Sequence, residues 1–579
     1  MAKKYKYQNP ARTIKKMLEL VTEKFPEGNA FKIKVKGEIR PVTFTALTEV
    51  THNLGTELFA LGYEDKRIGI IGENSYPWFE VFMSVSCGGA VAVPFDKGFT
   101  SEELAMCIKR SGISAFFYDE KQEKVVLGAV ELYNQMEDKG EDIVLYKMTG
   151  EGAVVDSMKA AGAQKVAEGS PYYTAYIGKE VKDDQMAVIL FTSGTTSTSK
   201  AVVLTHNNIM SNIRDMHEFE DFYPDDVNFS FLPLHHSFGL VGVLVFMACG
   251  ACTVFCDGLK YITKNLQEYG VTVFVGVPLL VESMYKKIMQ TVKKSGKEKK
   301  LQTGDKIATI LEKFGINVRR KLFHEIIDNL GGRMRLIICG AASLLPEAGK
   351  GLNSFGIATI QGYGLTETSP VLCAERPADI CPGSVGKPMP SVKVRIDEAD
   401  ENGIGEIVVQ GPNVMAGYLD QPEATAEVIV DGWFHTGDLG RIDEKGNVWI
   451  MGRKKSVIVM KNGKNIFPEE IEAHIGGLPY VKDSMVFARD DKHNELVLWV
   501  KIVYNEEYLA QENIDVNQLA ERVKKDLAAI NATMPHYKQV NRFILDNEPM
   551  IMTTTQKVKR VPETKRIEEN RASELWFTV

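Results

Sequence analysis

The sequence predicts an α/β protein: layered, largely parallel sheets covered by helices over most of the chain, followed by a smaller α+β unit. Three observations predict it. Short β-rich runs recur, each followed by a helix-length segment. After Asp397 the texture changes to short strands separated by Gly and Asp-Glu turns, as in ENGIGEIVVQGPN and GRIDEKGNVWIMGR. A helical pattern from Val516 to Ile530 then marks the C-terminal unit.

In chain order the strands are RIGIIG (67–72), AVAVPFD (90–96), ISAFFYD (113–119), MAVILFTSG (186–194), TVFVGVP (272–278) and RLIICG (335–340). The stretch from Phe238 to Cys256 is 19 residues without a charge, near the length of a membrane span. Gly250 falls between a helix-like run and the β-rich TVFC, so a buried helix, a turn and a buried strand are expected instead. Val318, Leu322, Phe323, Ile326, Ile327 and Leu330 share one face and Gly331-Gly332 supply a stop, which predicts one helix over 318–330. The run KKSGKEKK (293–300) reads as a polar loop or helix end on a solvated surface, with weak attraction to anionic lipid as the alternative. The change in texture alone suggests a domain boundary near 453–456.

Composition bounds the function. The chain has 579 residues, 44% hydrophobic and 25% charged, which excludes disordered, collagen-like and disulfide-scaffold classes. Its 76 acidic against 69 basic residues lack the basic excess of a dedicated nucleic-acid binder. Eight cysteines give no framework and read as reduced core thiols in a cytoplasmic protein. Cys249, Cys252 and Cys256 come nearest to a metal spacing, but no second Cys/His pair lies nearby. The N-terminus, MAKKYKYQNPARTIKKMLEL, is basic without an apolar core, so no secretory signal is expected.

The most informative segment is LFTSGTTSTSKAVVLTHNNI (190–209). A buried strand ends in Ser, Thr and Gly residues and then a lysine, offering hydroxyls and closely approachable N–H groups of the kind a triphosphate requires. It is not a Walker A loop, because Ser199 precedes Lys200 and Ala201 follows it.

Further motifs follow. They are LPLHHSFG (232–239), GGRMRLIICGAASL (331–344), QGYGLTETSPV (361–371), GSVGKPMP (383–390), GEIVVQGPNVMAGYLDQPEAT (405–425), GWFHTGDLG (432–440), GRKKSVIVMKNGKNIFPEEIE (452–472) and MTTTQKVKR (552–560). Together, and in this order, they resemble the adenylate-forming superfamily of acyl-CoA synthetases, peptide-synthetase adenylation domains and firefly-type luciferases. The likeness is greatest to long-chain fatty acid–CoA ligases. It implies a large N-terminal ATP- and acyl-binding domain (1–453) with a small β-barrel-like part, a hinge (454–456) and a mobile catalytic domain (457–579).

The resemblance also implies roles. Thr192, Ser193, Gly194, Thr195, Thr196 and Lys200 would hold the phosphates; Ser197, Ser199 and Ala201 depart from the family's Gly, Pro and Gly while staying small. His236 would stand beside the acyl carboxylate, and Gly340, Ala341 and Ala342 would lie against the adenine and acyl chain. Gln361, Gly362, Tyr363, Gly364 and Thr366 would line the nucleotide site, with Tyr363 stacked on adenine and Thr366 near the α-phosphate. Glu367 and Thr196 would hold Mg²⁺, a hard cation suited to oxygen ligands. Asp438 and Arg453 would take the ribose, Lys455 the hinge, and Lys461, Asn462 and Gly463 the CoA channel. Lys557, with Gln556 in place of the usual Gly, would be the catalytic lysine.

The activity so implied is ATP-dependent conversion of a carboxylic acid to its acyl-adenylate, then to acyl-CoA. LPLHHSFG lacks the Asp with which peptide-synthetase domains hold an α-amine, so a medium- to long-chain fatty acid leads over an amino acid. Two alternatives are an acyl-adenylating enzyme that loads an acyl carrier protein and a non-catalytic acyl or nucleotide binder. Neither a nucleic-acid partner nor a transmembrane segment is expected.

Overall fold

A computed structural model describes residues 6–192, 199–460, 464–490, 496–552, 558–570 and 575–579. It has the expected α/β architecture. The chain divides into two compact units: Met1–Thr192, Thr198–Val394 and Val409–Phe434 in one, Arg395–Val408 and His435–Val579 in the other.

The larger unit contains two sheets. The seven-stranded sheet runs in the order Gly417–Tyr418, Lys200–Thr205, Met186–Thr192, Val91–Pro94, Arg67–Ile71, Ala115–Tyr118 and Val144–Lys147. From Met186–Thr192 to Val144–Lys147 all its neighbours are parallel. The nine-stranded sheet carries a parallel centre made of Ala358–Gly364, Leu336–Cys339, Val273–Gly276, Val227–Ser230 and Cys252–Phe255. Strands Leu336–Cys339 and Val91–Pro94 are buried at every residue, which is why they read as unbroken apolar runs.

The helices between them are locally encoded. Thr100 and Glu103 form a capping box at the start of Ser101–Ser111, and Gly112 closes that helix in the left-handed region at φ 58°. The uncharged stretch forms the helix Ser237–Ala248 and the strand Cys252–Phe255 on either side of Gly250 (φ 85°). No helix among the described residues is long and apolar enough to cross a membrane.

One sequence expectation fails. The helix expected over 318–330 is two short helices, Arg319–Leu322 and His324–Asn329, broken at Phe323, whose φ −106° and ψ 25° leave the helical region. Phe323, Ile327 and Leu330 are buried whereas Leu322 is exposed. The break turns the Phe323 ring into the core against Phe355, and one continuous helix would have kept both Leu322 and Phe323 on one face.

In the smaller unit, residues 438–442 of strand Trp433–Ile442 pair antiparallel with Val448–Arg453. These strands belong to a small five-stranded sheet, in the place of the expected barrel-like part. A four-stranded sheet follows, ordered Val481–Asp490, Leu496–Tyr504, Val540–Asp546 and Trp576–Thr578. Helix Val516–Ala532 starts with an Asp515–Gln518 capping box. It buries Leu519, Val523 and Leu527 in a core with Ile471, Ile475, Val500 and Phe543.

Candidate active site

The strand Met186–Thr192 turns back antiparallel into Lys200–Thr205, with Thr192 opposite Lys200. Thr192 and Lys200 are therefore both fixed in the sheet, and an Arg110 guanidinium N–H donates to the Ser199 carbonyl. The Lys200 ammonium lies 4.2 Å from the centre of the Tyr418 ring, a cation–π contact. Strand pairing sets this up, because Gly417–Tyr418 adds to the hairpin's edge with Tyr418 opposite Val202. The Tyr418 hydroxyl donates to Glu367 Oε1 at 3.0 Å. Lys200, Tyr418 and Glu367 thus form one chain of contacts.

The segment holding Glu367 is clamped by its backbone. The Met415 N–H donates to the Glu367 carbonyl at 2.8 Å. The fully buried Asn413 amide donates to the carbonyls of Thr368 and Val371, and Ser369 returns a bond to the Asn413 carbonyl. At Gly364 an added Cβ would stand 1.7 Å from the Pro370 carbonyl oxygen, so only glycine fits this approach.

Three other motifs meet nearby. A Cβ on Gly340 would lie 3.0 Å from the Phe238 ring and 3.3 Å from the Gly362 carbonyl, which brings GAA, HHSFG and QGYG together at one point. Ala341 follows at φ 73°, a left-handed position that a small side chain tolerates better than a bulky one. The Gln361 side chain accepts the Leu344 N–H at 2.9 Å. Tyr363 is buried in strand Ala358–Gly364. Ser237 donates to the Thr366 hydroxyl at 3.5 Å, at the long limit of a hydrogen bond.

The histidine pair is held from elsewhere. His235 Nε2 lies 3.2 Å from Asp96 Oδ1, with His235 buried and Asp96 nearly so. The His235 and His236 rings stand 4.5 Å apart. Asn74 secures the preceding turn by donating to the Leu232 carbonyl and accepting the Leu234 N–H.

Among the described residues, Asp96, His235 and His236 form the one group of three or more His, Cys, Asp or Glu side chains able to share a metal ion, with ligand atoms within 4.8 Å of one another. The cysteines join no such group; Cys249 and Cys252 are buried, and burial pushes their thiols up to about 12, as expected of core thiols. The half-buried Glu367 carboxylate, oriented by a hydroxyl, offers the hard oxygen donor that Mg²⁺ prefers.

In the smaller unit, Asp438 faces Arg453 across adjacent strands. Their side chains pair, Arg453 Nε to Asp438 Oδ1 at 2.9 Å, with Asp438 buried and Arg453 partly exposed. Arg453 also donates to the Thr436 carbonyl at 3.2 Å. The two residues assigned to the ribose are therefore neighbours. Lys455 lies exposed in the short turn Lys454–Ser456.

Residues 18–419 match the family described as AMP-binding enzyme, and residues 455–573 match the AMP-binding enzyme C-terminal domain. The chain belongs to the AMP-binding enzyme family. Among curated relatives, human long-chain-fatty-acid–CoA ligase 1 is 30% identical over 469 residues, 74% of this chain and 65% of that protein. Its Cavia porcellus counterpart is 27% identical over 584 residues, 93% of this chain and 82% of that protein. The chain thus spans just under two thirds of the human relative's length in that match.

Solved structures support the fold. ATP-bound MatB from Rhodopseudomonas palustris has a TM-score of 0.73 at 23% identity, covering 96% of this chain and 99% of its own. Mycobacterium tuberculosis fatty acyl CoA synthetase has a TM-score of 0.66 at 20% identity with the same coverages.

For this AMP-binding enzyme, Ser193, Gly194, Thr195, Thr196, Lys461, Asn462, Gly463 and Lys557 lie outside the described residues. Sequence reasoning assigned no role to Tyr418, Asp96, Asn74 or Asn413. Tyr418 and Asn413 sit inside the quoted run at 405–425, and Asp96 ends a quoted strand. A polar residue just past the C-terminal end of a parallel strand was the available signal for Asp96.

Proposed function

We propose that this AMP-binding enzyme is an ATP-dependent acyl-CoA ligase acting on medium- to long-chain fatty acids. The observation that carries the reading is the Lys200–Tyr418–Glu367 chain, which ties a cation at the end of the phosphate-loop hairpin to a carboxylate of the TET segment. The relatives' names support a fatty acid as substrate.

The chemistry has two balanced steps. A carboxylate oxygen attacks the α-phosphorus of ATP, forming an acyl–O–P bond as the bond to the bridging oxygen breaks and diphosphate leaves. The CoA sulfur then attacks the acyl carbon, the thiol proton departs to solvent or base, and AMP leaves. Both partners in the first step are anions, so positioning and charge neutralisation dominate and no side-chain nucleophile is needed.

Lys200 and the loop at 193–196 hold the β- and γ-phosphates. His236 stands beside the carboxylate, positioned by the Asp96–His235 pair. Small residues at 340–342 leave room for the adenine and acyl chain. Asp438 accepts the ribose hydroxyls while Arg453 fixes its carboxylate. Glu367 and Thr196 would hold Mg²⁺, which supplies further neutralisation of phosphate charge. Lys557 serves adenylation. A turn of the domain beginning near 457 about the hinge at 454–456 then exchanges Lys557 for the loop at 461–463, which admits CoA.

The test supplies ATP, Mg²⁺ and CoA with saturated acids of graded length and follows thioester by mass spectrometry. Acyl-CoA formed from medium or long acids supports the reading. Thioester formed only on a phosphopantetheinylated carrier protein would overturn the choice of acceptor, and turnover confined to short or aromatic acids would overturn the choice of substrate.

A further inference from the structure

The segment from 286 to 321 carries twelve Lys and Arg residues against three acids, a net charge of +9 in a chain whose total is −7. Two of the three acids are turned onto Arg319, whose Nε meets Glu312 Oε1 at 2.7 Å and whose Nη1 meets Asp305 Oδ1 at 2.5 Å. Lys293, Lys294, Lys299, Lys300, Lys306 and Lys313 are exposed and form no ion pair among the described residues. Lys297 is paired with Glu325 at 2.6 Å, but these six lysines face solvent without a carboxylate partner among the described residues.

Helix Glu298–Glu312 lies in the middle of this segment. Ala308 is fully buried on one side. On the other side Ile307 is 46% exposed and Ile310 56%, and just past the helix Phe314 is 76% exposed and Ile316 50%. Ile307 and Ile310, three residues apart, share the face where a helix of a water-soluble protein ordinarily carries polar groups, and Phe314 extends the exposed apolar surface just past the helix end. An apolar stripe flanked by unpaired lysines is the pattern of a helix that lies in a lipid headgroup layer. A nucleic acid would use the lysines and leave the stripe in water.

We propose that this face docks the protein on the surface of a bilayer containing anionic lipid, the stripe entering the headgroup–acyl boundary and the lysines meeting lipid phosphates. The proposal is independent of the ligase reading, because it rests on charge and exposure away from the catalytic motifs. Each lysine near an anionic surface is worth about fivefold in partitioning at moderate salt, and screening removes that gain as salt rises.

The experiment co-sediments the full chain with phosphatidylcholine vesicles with and without phosphatidylglycerol, at low and high salt. The variants are Ile310→Ser with Phe314→Ser, and Lys293→Gln, Lys294→Gln, Lys299→Gln and Lys300→Gln together. Wild type is expected to bind the anionic vesicles and be released by salt. The apolar variant should partition at least about tenfold more weakly, and the lysine variant, at about fivefold for each of four charges, several hundredfold more weakly at low salt, both with unchanged circular dichroism and melting temperature. Equal binding of wild type and both variants would overturn the proposal, as would absence of vesicle binding. A concentration-dependent dimer abolished by Phe314→Ser, without vesicle binding, would assign the face to a second copy of the chain instead.

Discussion

The Tyr418 hydroxyl donates to Glu367 at 3.0 Å, while the same ring supports the Lys200 ammonium at 4.2 Å. One side chain thus orients both a carboxylate and a cation. Tyr418→Phe keeps the ring and removes only the donor, and a hydrogen bond to a charged group contributes about 1.5–3 kcal/mol. The expected outcome is adenylation slowed by about tenfold or more, with a higher Mg²⁺ requirement. Tyr418→Leu also removes the cation–π contact and should cost a further few-fold. Mg²⁺ titrations of acid-dependent diphosphate–ATP exchange for wild type and the two variants check this; identical curves for wild type and Tyr418→Phe would contradict it.

The Arg453–Asp438 pair predicts a nucleotide-binding defect. Asp438→Asn keeps the shape and removes the charge that Arg453 fixes. KM for ATP should rise about 10- to 100-fold with a smaller change in kcat, the sign of binding lost in ground and transition state alike. Initial rates over a range of ATP concentrations decide this.

Domain exchange predicts separable half-reactions. Lys557→Ala should abolish adenylation yet leave thioester formation from supplied acyl-adenylate largely intact. Lys455→Pro should retain adenylation and lose thioesterification. Equal damage to both half-reactions in either folded variant would contradict the exchange.

Glu375 predicts a pH dependence of stability. Its buried carboxyl accepts the N–H groups of Gln361 and Cys381, and burial outweighs those bonds to push it up to about 7 from an ordinary 4.5. The folded state therefore holds a proton that the unfolded chain has released between these values. By linkage this stabilisation is complete below about 4.5, falls as pH rises through the window, and is gone above about 7. Urea unfolding at pH 5 and pH 8 should show wild type losing stability relative to Glu375→Gln by roughly 1–3 kcal/mol. A constant difference would contradict the assignment.

Gly364 predicts a packing defect. Its missing Cβ leaves room for the Pro370 carbonyl, so Gly364→Ala must displace the segment that carries Thr366 and Glu367. A loss of about 2–4 kcal/mol in unfolding free energy, with activity falling further than stability explains, is expected.

Much of this was legible in the chain. The runs at 68–71, 115–118 and 336–339 announced themselves because burial on both faces favours unbroken apolar and aromatic residues. The helical pattern from Val516 to Ile530 did so through its single apolar stripe, and the structure adds its cap and extends it to Ala532. The break at Phe323 did not, because periodicity alone treats Leu322 and Phe323 as one face and only the neighbouring Phe355 decides between them. Gly340, Gly362 and Phe238 could be placed in one site by motif order, and the structure supplies the contact. Tyr418 and Asp96 escaped because their partners, Glu367 and His235, are remote in sequence, and a hydrogen bond across a fold leaves no local pattern.

Acid-dependent exchange of labelled diphosphate into ATP tests the central claim most directly, since only reversible formation of an acyl-adenylate produces it. With Mg²⁺ and a panel of carboxylic acids, label should enter ATP for fatty acids of medium or long chain and should vanish in Lys557→Ala. If no acid drives incorporation of label into ATP above the acid-free rate, the protein does not activate carboxylates.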